Sequence, residues 1–203
     1  MKSFGITTLS KGLVVRHYEG DRGGVQDAIS ATTSQLIADH VCKYIGPISS
    51  VVHETRSEGV HIDAYHVAPT PTRNLTTLIT AGMSTKAMNP PPSASQCQFA
   101  ELVMVLPPDW PINENAFQNI NTAWPFERLF AVARLPHDYS SWLWWGHSIP
   151  NGDPPRPYAP TTKLAGVILG PALTLPREFY KLRCDIKKKL CFSKGSSPLL
   201  ALC

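Results

Sequence analysis

The residues whose types and spacing could do chemistry begin with His61-x-Asp63-x-x-His66. Imidazole and carboxylate at short separation form the donor set of zinc-type metal centres. The surrounding Val60-His-Ile-Asp-Ala-Tyr-His-Val67 alternates as a strand does. His61, Asp63 and Tyr65 fall on one face and Val60, Ile62, Ala64 and His66 on the other. His61 and Asp63 can therefore converge and His66 cannot, so a metal site needs a bulge or a ligand from elsewhere. His53, His137 and His147 are available, but none comes with a second metal-type residue at helical or strand spacing. The simpler expectation is a His61–Asp63 hydrogen bond on a polar strand face, with His66 partly buried in packing and no cofactor bound. The alternative it leaves is a metal-dependent hydrolase using His61, Asp63 and a further histidine.

Glu101 sits inside the apolar run Phe99–Leu106. A buried carboxylate there can act as an acid or base, or can hold a loop through backbone N–H groups. With no nucleophile beside it, the loop-holding role is favoured. His137-Asp138, His147 and Asp153 could be combined with a serine into a hydrolytic triad, but no Gly-x-Ser-x-Gly elbow is present. Gly20-Asp-Arg-Gly-Gly24 lacks the Lys-Ser/Thr ending of a phosphate loop. Lys187-Lys188-Lys189 is a short basic run without interleaved aromatics and reads as a solvated turn, not a nucleic-acid surface.

The elements that must position these groups alternate irregularly. A helix follows Asp27 as N-cap, with Ile29, Leu36, Ile37, Val41, Tyr44 and Ile45 at helical spacing, and Gly46-Pro47 ends it. Strands are expected over Ile48–His53, Val60–Val67 and Leu75–Ala81, the last two forming an antiparallel hairpin. Phe99–Leu106 has the character of a central strand buried on both faces. A short helix is expected over 113–120. A second begins at Pro125, lays Phe126, Leu129, Phe130 and Ala133 on the sheet, and stops at Leu135-Pro136. Leu164–Leu169 reads as a buried strand, and Phe179–Cys184 with Lys189–Phe192 as a terminal hairpin. Helix, strands, helix, strands is not a βαβ alternation. The fold class is α+β, with a mixed, mostly antiparallel sheet packed with helices. Residues 1–26 read as a loose lead-in, 27–192 as one domain, and 193–203 as an aberrant or truncated tail.

Nineteen prolines in 203 residues, against a usual frequency of about 5%, sit at punctuation points and stiffen many short turns. The formal net charge is only +4. No apolar run of the length of a signal core or a membrane span is seen, and the five irregularly spaced cysteines fit free thiols in a reducing cytoplasm. Two loops rich in Pro, Gly, Asn and Asp, Leu106-Pro-Pro-Asp-Trp110 and Gly146–Pro155, follow apolar runs beside tryptophans. Such shaped loops on a rigid scaffold are where binding residues tend to lie, and Trp is enriched at binding hot spots. Trp124 and Trp142 are expected in the core, and at least one of Trp110, Trp144 and Trp145 beside a cleft.

In order along the chain stand Val60-His-Ile-Asp with Val67-Ala-Pro-Thr70, Thr80-Ala-Gly-Met-Ser84, Ala100-Glu-Leu102 with Leu106-Pro-Pro-Asp-Trp110, Ala133-Arg-Leu-Pro-His137 and Gly146-His-Ser-Ile-Pro-Asn-Gly-Asp-Pro-Pro155. With these motifs the chain resembles the Suppressor of fused domain family, in particular its compact bacterial members, from about residue 28 to about 192. The resemblance implies an α/β sandwich without known catalysis that works by binding another protein. In animals that partner is a transcription factor whose short strand docks in a cleft; in bacteria the relatives look like immunity proteins that neutralise toxins. It also implies a further apolar-acidic segment and helix after Phe192, where this chain has Ser193–Cys203 instead.

The resulting expectation is a cytoplasmic, non-enzymatic protein-binding module, with an immunity role as its bacterial form. Asp109, Trp110, Trp145, His147, Asn151 and Asp153 are its candidate contact residues. The partner is another protein, with no membrane and no nucleic acid.

Overall fold

The computed structural model describes residues 13–17, 28–54, 59–182 and 197–202, with the side chains of 13–17, 28–32 and 197–202 left aside. The elements run β1 (Leu13–His17), α1 (Ala28–Tyr44), β2 (Ser50–Glu54), β3 (Asp63–Val67), β4 (Thr76–Ala81), β5 (Glu101–Leu106), α2 (Glu114–Gln118), α3 (Ile120–Asp138), β6 (Ser148–Pro150), β7 (Gly166–Pro171), β8 (Lys181–Leu182) and β9 (Ser197–Leu202). Short 3-10 turns lie at Met83–Thr85, Pro92–Cys97 and Arg177–Tyr180.

The strands form one sheet in the order β1-β2-β3-β4-β5-β9-β7-β6, with β8 pairing β9. Every pair is antiparallel except β5–β9, which is parallel. The sheet is mixed and mostly antiparallel, as α+β patterning predicts.

Strand alternation divides the core into two. Val52, Ile62, Ala64, Leu78, Leu102 and Met104 face one side, where Phe126, Leu129, Phe130 and Ala133 of α3 close over them. Val51, Tyr65, Val67, Ile79 and Val103 face the other, where Ile37, Ala38 and Val41 of α1 cover them. The result is a helix–sheet–helix sandwich. The predicted i, i+3, i+4, i+7 face of α3 is the one that packs. β4 is buried along its whole length and β5 nearly so. The helix α1 ends where its sequence requires: the Gly46 N–H reaches back to the Val41 carbonyl at 3.2 Å, with φ at 147° in the region that favours glycine.

Several expectations are corrected. Residues 13–17 are no loose lead-in: they form β1, paired along its length with β2. Pro125 does not open a helix. It lies inside α3, which starts at Ile120 behind the Asn119 cap, and Pro136 is also internal because the helix continues to Asp138. Leu164–Leu169 is not buried throughout. In β7, Val167 and Leu169 point inward while Gly166 and Ile168 are exposed. Of the expected terminal hairpin, 183–184 and 189–192 lie outside the described residues; Lys181–Leu182 forms β8, which pairs with β9, and β9 lies between β5 and β7. Asp27, the Lys187–Lys189 run, Cys184, Cys191 and Cys203 lie outside the described residues. Cys42 and Cys97 are free thiols.

Candidate functional site

Because β2 to β5 run antiparallel, the C-terminal ends of β2 and β4 and the N-terminal ends of β3 and β5 share one end of the sheet. Most of the unusual polar chemistry gathers there. His53 and Asp63 are direct cross-strand partners, so their side chains share a face. His53 Nδ1 lies 2.9 Å and His61 Nε2 3.1 Å from the same oxygen, Asp63 Oδ1. These three are the one group of this kind among the described residues, with ligand atoms all within 4.8 Å of one another. The Asp63 hydrogen bond holds the His61 pKa above its ordinary value. Burial pushes the Asp63 carboxyl up, but the two imidazoles outweigh it and the net shift is downward. His66 faces away, bonds Ser50 Oγ at 2.9 Å, and is held below its ordinary pKa by burial. The predicted His61–Asp63 contact is therefore present, and the missing ligand from elsewhere is His53.

Beside this cluster a turn is pinned from beneath. Glu101 is buried and accepts four hydrogen bonds: from the Thr80 hydroxyl at 2.6 Å, the Gly82 N–H at 3.1 Å, the Ser84 N–H at 2.9 Å and the Ser84 hydroxyl at 2.6 Å. Burial raises its pKa even against these four bonds. This is the loop-holding role expected from sequence. The loop it holds packs on the strand leading to the histidine, since a Cβ on Gly82 would stand 2.1 Å from the His61 carbonyl oxygen. His137 Nε2 reaches the Met83 carbonyl at 3.0 Å from α3, and burial lowers its pKa.

A buried ion pair completes this end. Arg134 of α3 donates from Nε and Nη2 to Glu54 Oε2 of β2, with both side chains nearly inaccessible. Sequence reasoning passed over it. The available signal was Arg134 itself, four residues after Phe130 on the apolar face of α3, where a charge demands a buried partner.

The predicted contact residues are spread over three places. Asp109 and Trp110 lie in the turn after β5, at the opposite end of the sheet. Asp109 is exposed, whereas Trp110 donates its indole N–H to the Thr122 carbonyl at 3.1 Å and sits edge-on to Trp124. Asn151 donates to the Arg156 carbonyl at 2.7 Å and so holds its own loop. Asp153 is exposed in that loop. Its position near the Asp109 end follows from pairing, because Pro150 opposes Gly166 at the start of β7. His147 is half-buried, edge-on to Trp142 at 4.7 Å. Trp145 is exposed and borders Tyr180. Trp142 and Trp144 are partly buried against the α3-side core, and Trp124 is half-buried, stacked on Tyr158 and edge-on to Trp110.

Sequence reasoning also missed an apolar surface around β7. Among the described residues, four of the six exposed large apolar side chains are Trp145, Leu164, Ile168 and Leu173. Among the described residues, the core cluster under α1 takes none from 164–171, and Ile168 of β7 is exposed.

The Suppressor of fused protein (SUFU) family model matches residues 58–193, two thirds of the chain. The chain belongs to the SUFU family. None of the curated proteins matches it in sequence. Among solved structures it is similar to a SUFU homolog from Neisseria gonorrhoeae FA 1090, at 12% identity and a TM-score of 0.53, over 84% of this chain and 76% of that one. At that identity the likeness concerns the fold, and it supports the α+β sandwich. The SUFU match begins after β2 and ends before β9. His61, Asp63, Glu101 and the β6–β7 region lie within it, and His53 and Glu54 do not.

Proposed function

We propose that this SUFU-family chain is a non-enzymatic protein-binding module that recognises its partner through the apolar surface around β7. The observation that carries the reading is the exposure of Ile168 in β7 and of Trp145 and Leu173 flanking it, with Leu173 82% exposed. Single exposed apolar residues are ordinary; several of them around one strand, with an aromatic among them, are what an interface core requires. Tyr180 ties this surface together, since its ring borders Trp145 and its hydroxyl donates to the Ala172 carbonyl at 3.1 Å. Within this reading Trp145 is an anchor, while His147, Asp153 and Asp109 offer polar specificity and Trp110 and Asn151 shape the loops that carry them.

Strand addition at the β6 edge is disfavoured. β6 is only three residues long, and Pro150 lacks an N–H to offer. Side-chain docking on the β7 face fits better. The bacterial form of the proposal is a cytoplasmic immunity protein that neutralises a toxin by occupying it.

The test is capture of a partner encoded beside the gene, comparing the unaltered chain with an Ile168→Asp/Leu173→Asp variant. Loss of capture at unchanged melting temperature is expected. Retained capture sinks the assignment of this surface, and turnover of a small substrate abolished by one polar substitution sinks the non-enzymatic reading.

A further inference from the structure

We propose that His53, His61 and Asp63 form a binding site for a zinc-type divalent cation at the polar end of the sheet. The argument is geometric. In a tetrahedral site with metal–nitrogen and metal–oxygen bonds near 2.1 Å, neighbouring ligand atoms stand about 3.4 Å apart. The two distances to Asp63 Oδ1, 2.9 and 3.1 Å, are a few tenths below that, and all three atoms lie within 4.8 Å of one another. A small outward rotation of each ring opens the space for an ion. Two imidazoles and one carboxylate are borderline donors that suit zinc, and three protein ligands leave the fourth position to water.

The scaffold is rigid where it must be. His53 and Asp63 are fixed by cross-strand register. His61 lies two residues before Asp63 on a segment backed by the Gly82 turn, which Glu101 pins. The ligands are neither sealed nor fully exposed: the side chains of His53, His61 and Asp63 retain 31%, 39% and 22% of their accessibility. An ion can enter, while partial burial raises the value of each charge contact. The Glu54–Arg134 pair lies near enough to act on His61 electrostatically, its two charges pulling in opposite directions there.

The experiment uses the full chain without a polyhistidine tag, stripped with chelator. Its thiols are alkylated, because Cys42 is exposed and could bind zinc by itself. Calorimetric titration with Zn2+ and absorption spectra with Co2+ are then recorded. One ion per chain is expected, with a tetrahedral Co2+ spectrum. His53→Ala and His61→Ala should each weaken binding by about 100-fold or more, since losing even an outer-shell partner costs 10–100-fold. Asp63→Asn, which keeps the shape of the side chain, guards against loss of fold as the explanation, and circular dichroism melts check each variant. No saturable binding by the folded, stripped chain overturns the proposal. So does stoichiometric binding that survives both histidine substitutions.

Discussion

Replacing Glu101 tests whether one buried side chain organises the polar end of the sheet. In a Glu101→Leu variant the Gly82 and Ser84 N–H groups and the Thr80 and Ser84 hydroxyls lose their acceptor in a site with no access to solvent. The hydroxyls can turn to other acceptors, whereas the two backbone N–H groups cannot. Each orphaned buried group costs about 1–3 kcal/mol, so the variant should lose roughly 2–6 kcal/mol, a large part of a stability of about 5–15 kcal/mol. Glu101→Gln should behave differently. Its oxygen can keep the three bonds made by Oε1, and its amide can donate to Thr80 Oγ1, which already accepts from the Leu102 N–H at 2.7 Å and has a second lone pair free. The Gln variant should therefore fall within about 1 kcal/mol of the parent at neutral pH. The pH dependence carries a definite sign. Burial raises the carboxyl pKa in the folded state, so the folded chain binds more protons than the unfolded one between the ordinary value of 4.5 and the raised one. This group's contribution to stability is then fully present below 4.5 and declines as pH rises through that window. Gln has no proton to lose, so its stability relative to the parent should improve as pH rises across the same window. Urea unfolding at several pH values measures both effects through the midpoint and slope. A Leu variant within about 1 kcal/mol of the parent, or a Gln variant as damaged as Leu, refutes the reasoning.

Other perturbations read neighbouring parts. Gly82→Ala places a methyl group against the His61 carbonyl at a φ of 124°, so it should destabilise the fold by more than about 2 kcal/mol and weaken Co2+ binding; thermal melts and the cobalt titration check the two together. Arg134→Met leaves Glu54 as a buried charge without its guanidinium partner and should cost about 3–5 kcal/mol in urea unfolding, whereas the double variant Glu54→Leu/Arg134→Met should recover most of it. Trp110→Phe removes the indole donor to the Thr122 carbonyl and should cost about 1 kcal/mol in urea unfolding.

What the sequence revealed and what it hid have physical reasons. The α3 face was legible because helical periodicity is a local signal, and the buried strand β5 was legible because its apolar run has the right length. Glu101 was legible as an anomaly in that run. The third ligand of the His–Asp cluster was not legible, because His53 meets Asp63 only through the register of β2 against β3, which no spacing within one strand reports. β9 was hidden for a similar reason. Ser197–Leu202 is a short apolar run that suits helix or strand alike, and its parallel partner β5 lies almost a hundred residues earlier in the chain. The start of α3 was misplaced because Asn119 gave a weaker written signal than Pro125, yet the cap won: its side chain accepts the Asn121 N–H at 3.0 Å.

The proposed cation site and the proposed binding surface can be separated experimentally because the sheet separates them. The cation ligands sit on and beside β2 and β3, while Ile168 lies on β7, which is reached from β3 only by crossing β4, β5 and β9. Four inter-strand steps of about 4.8 Å place the two regions roughly 19 Å apart. Side chains at that distance with no shared partner should act additively, with coupling below about 0.5 kcal/mol. His61→Ala should then leave partner capture unchanged, and Ile168→Asp should leave the Co2+ titration unchanged. If the ion instead governs capture, the two must be joined through the strands between them, and the buried Glu101 and Gly82 positions would be the first places to find that link. A double-variant cycle of His61→Ala with Ile168→Asp, read by partner affinity with and without Zn2+, decides between independence and coupling.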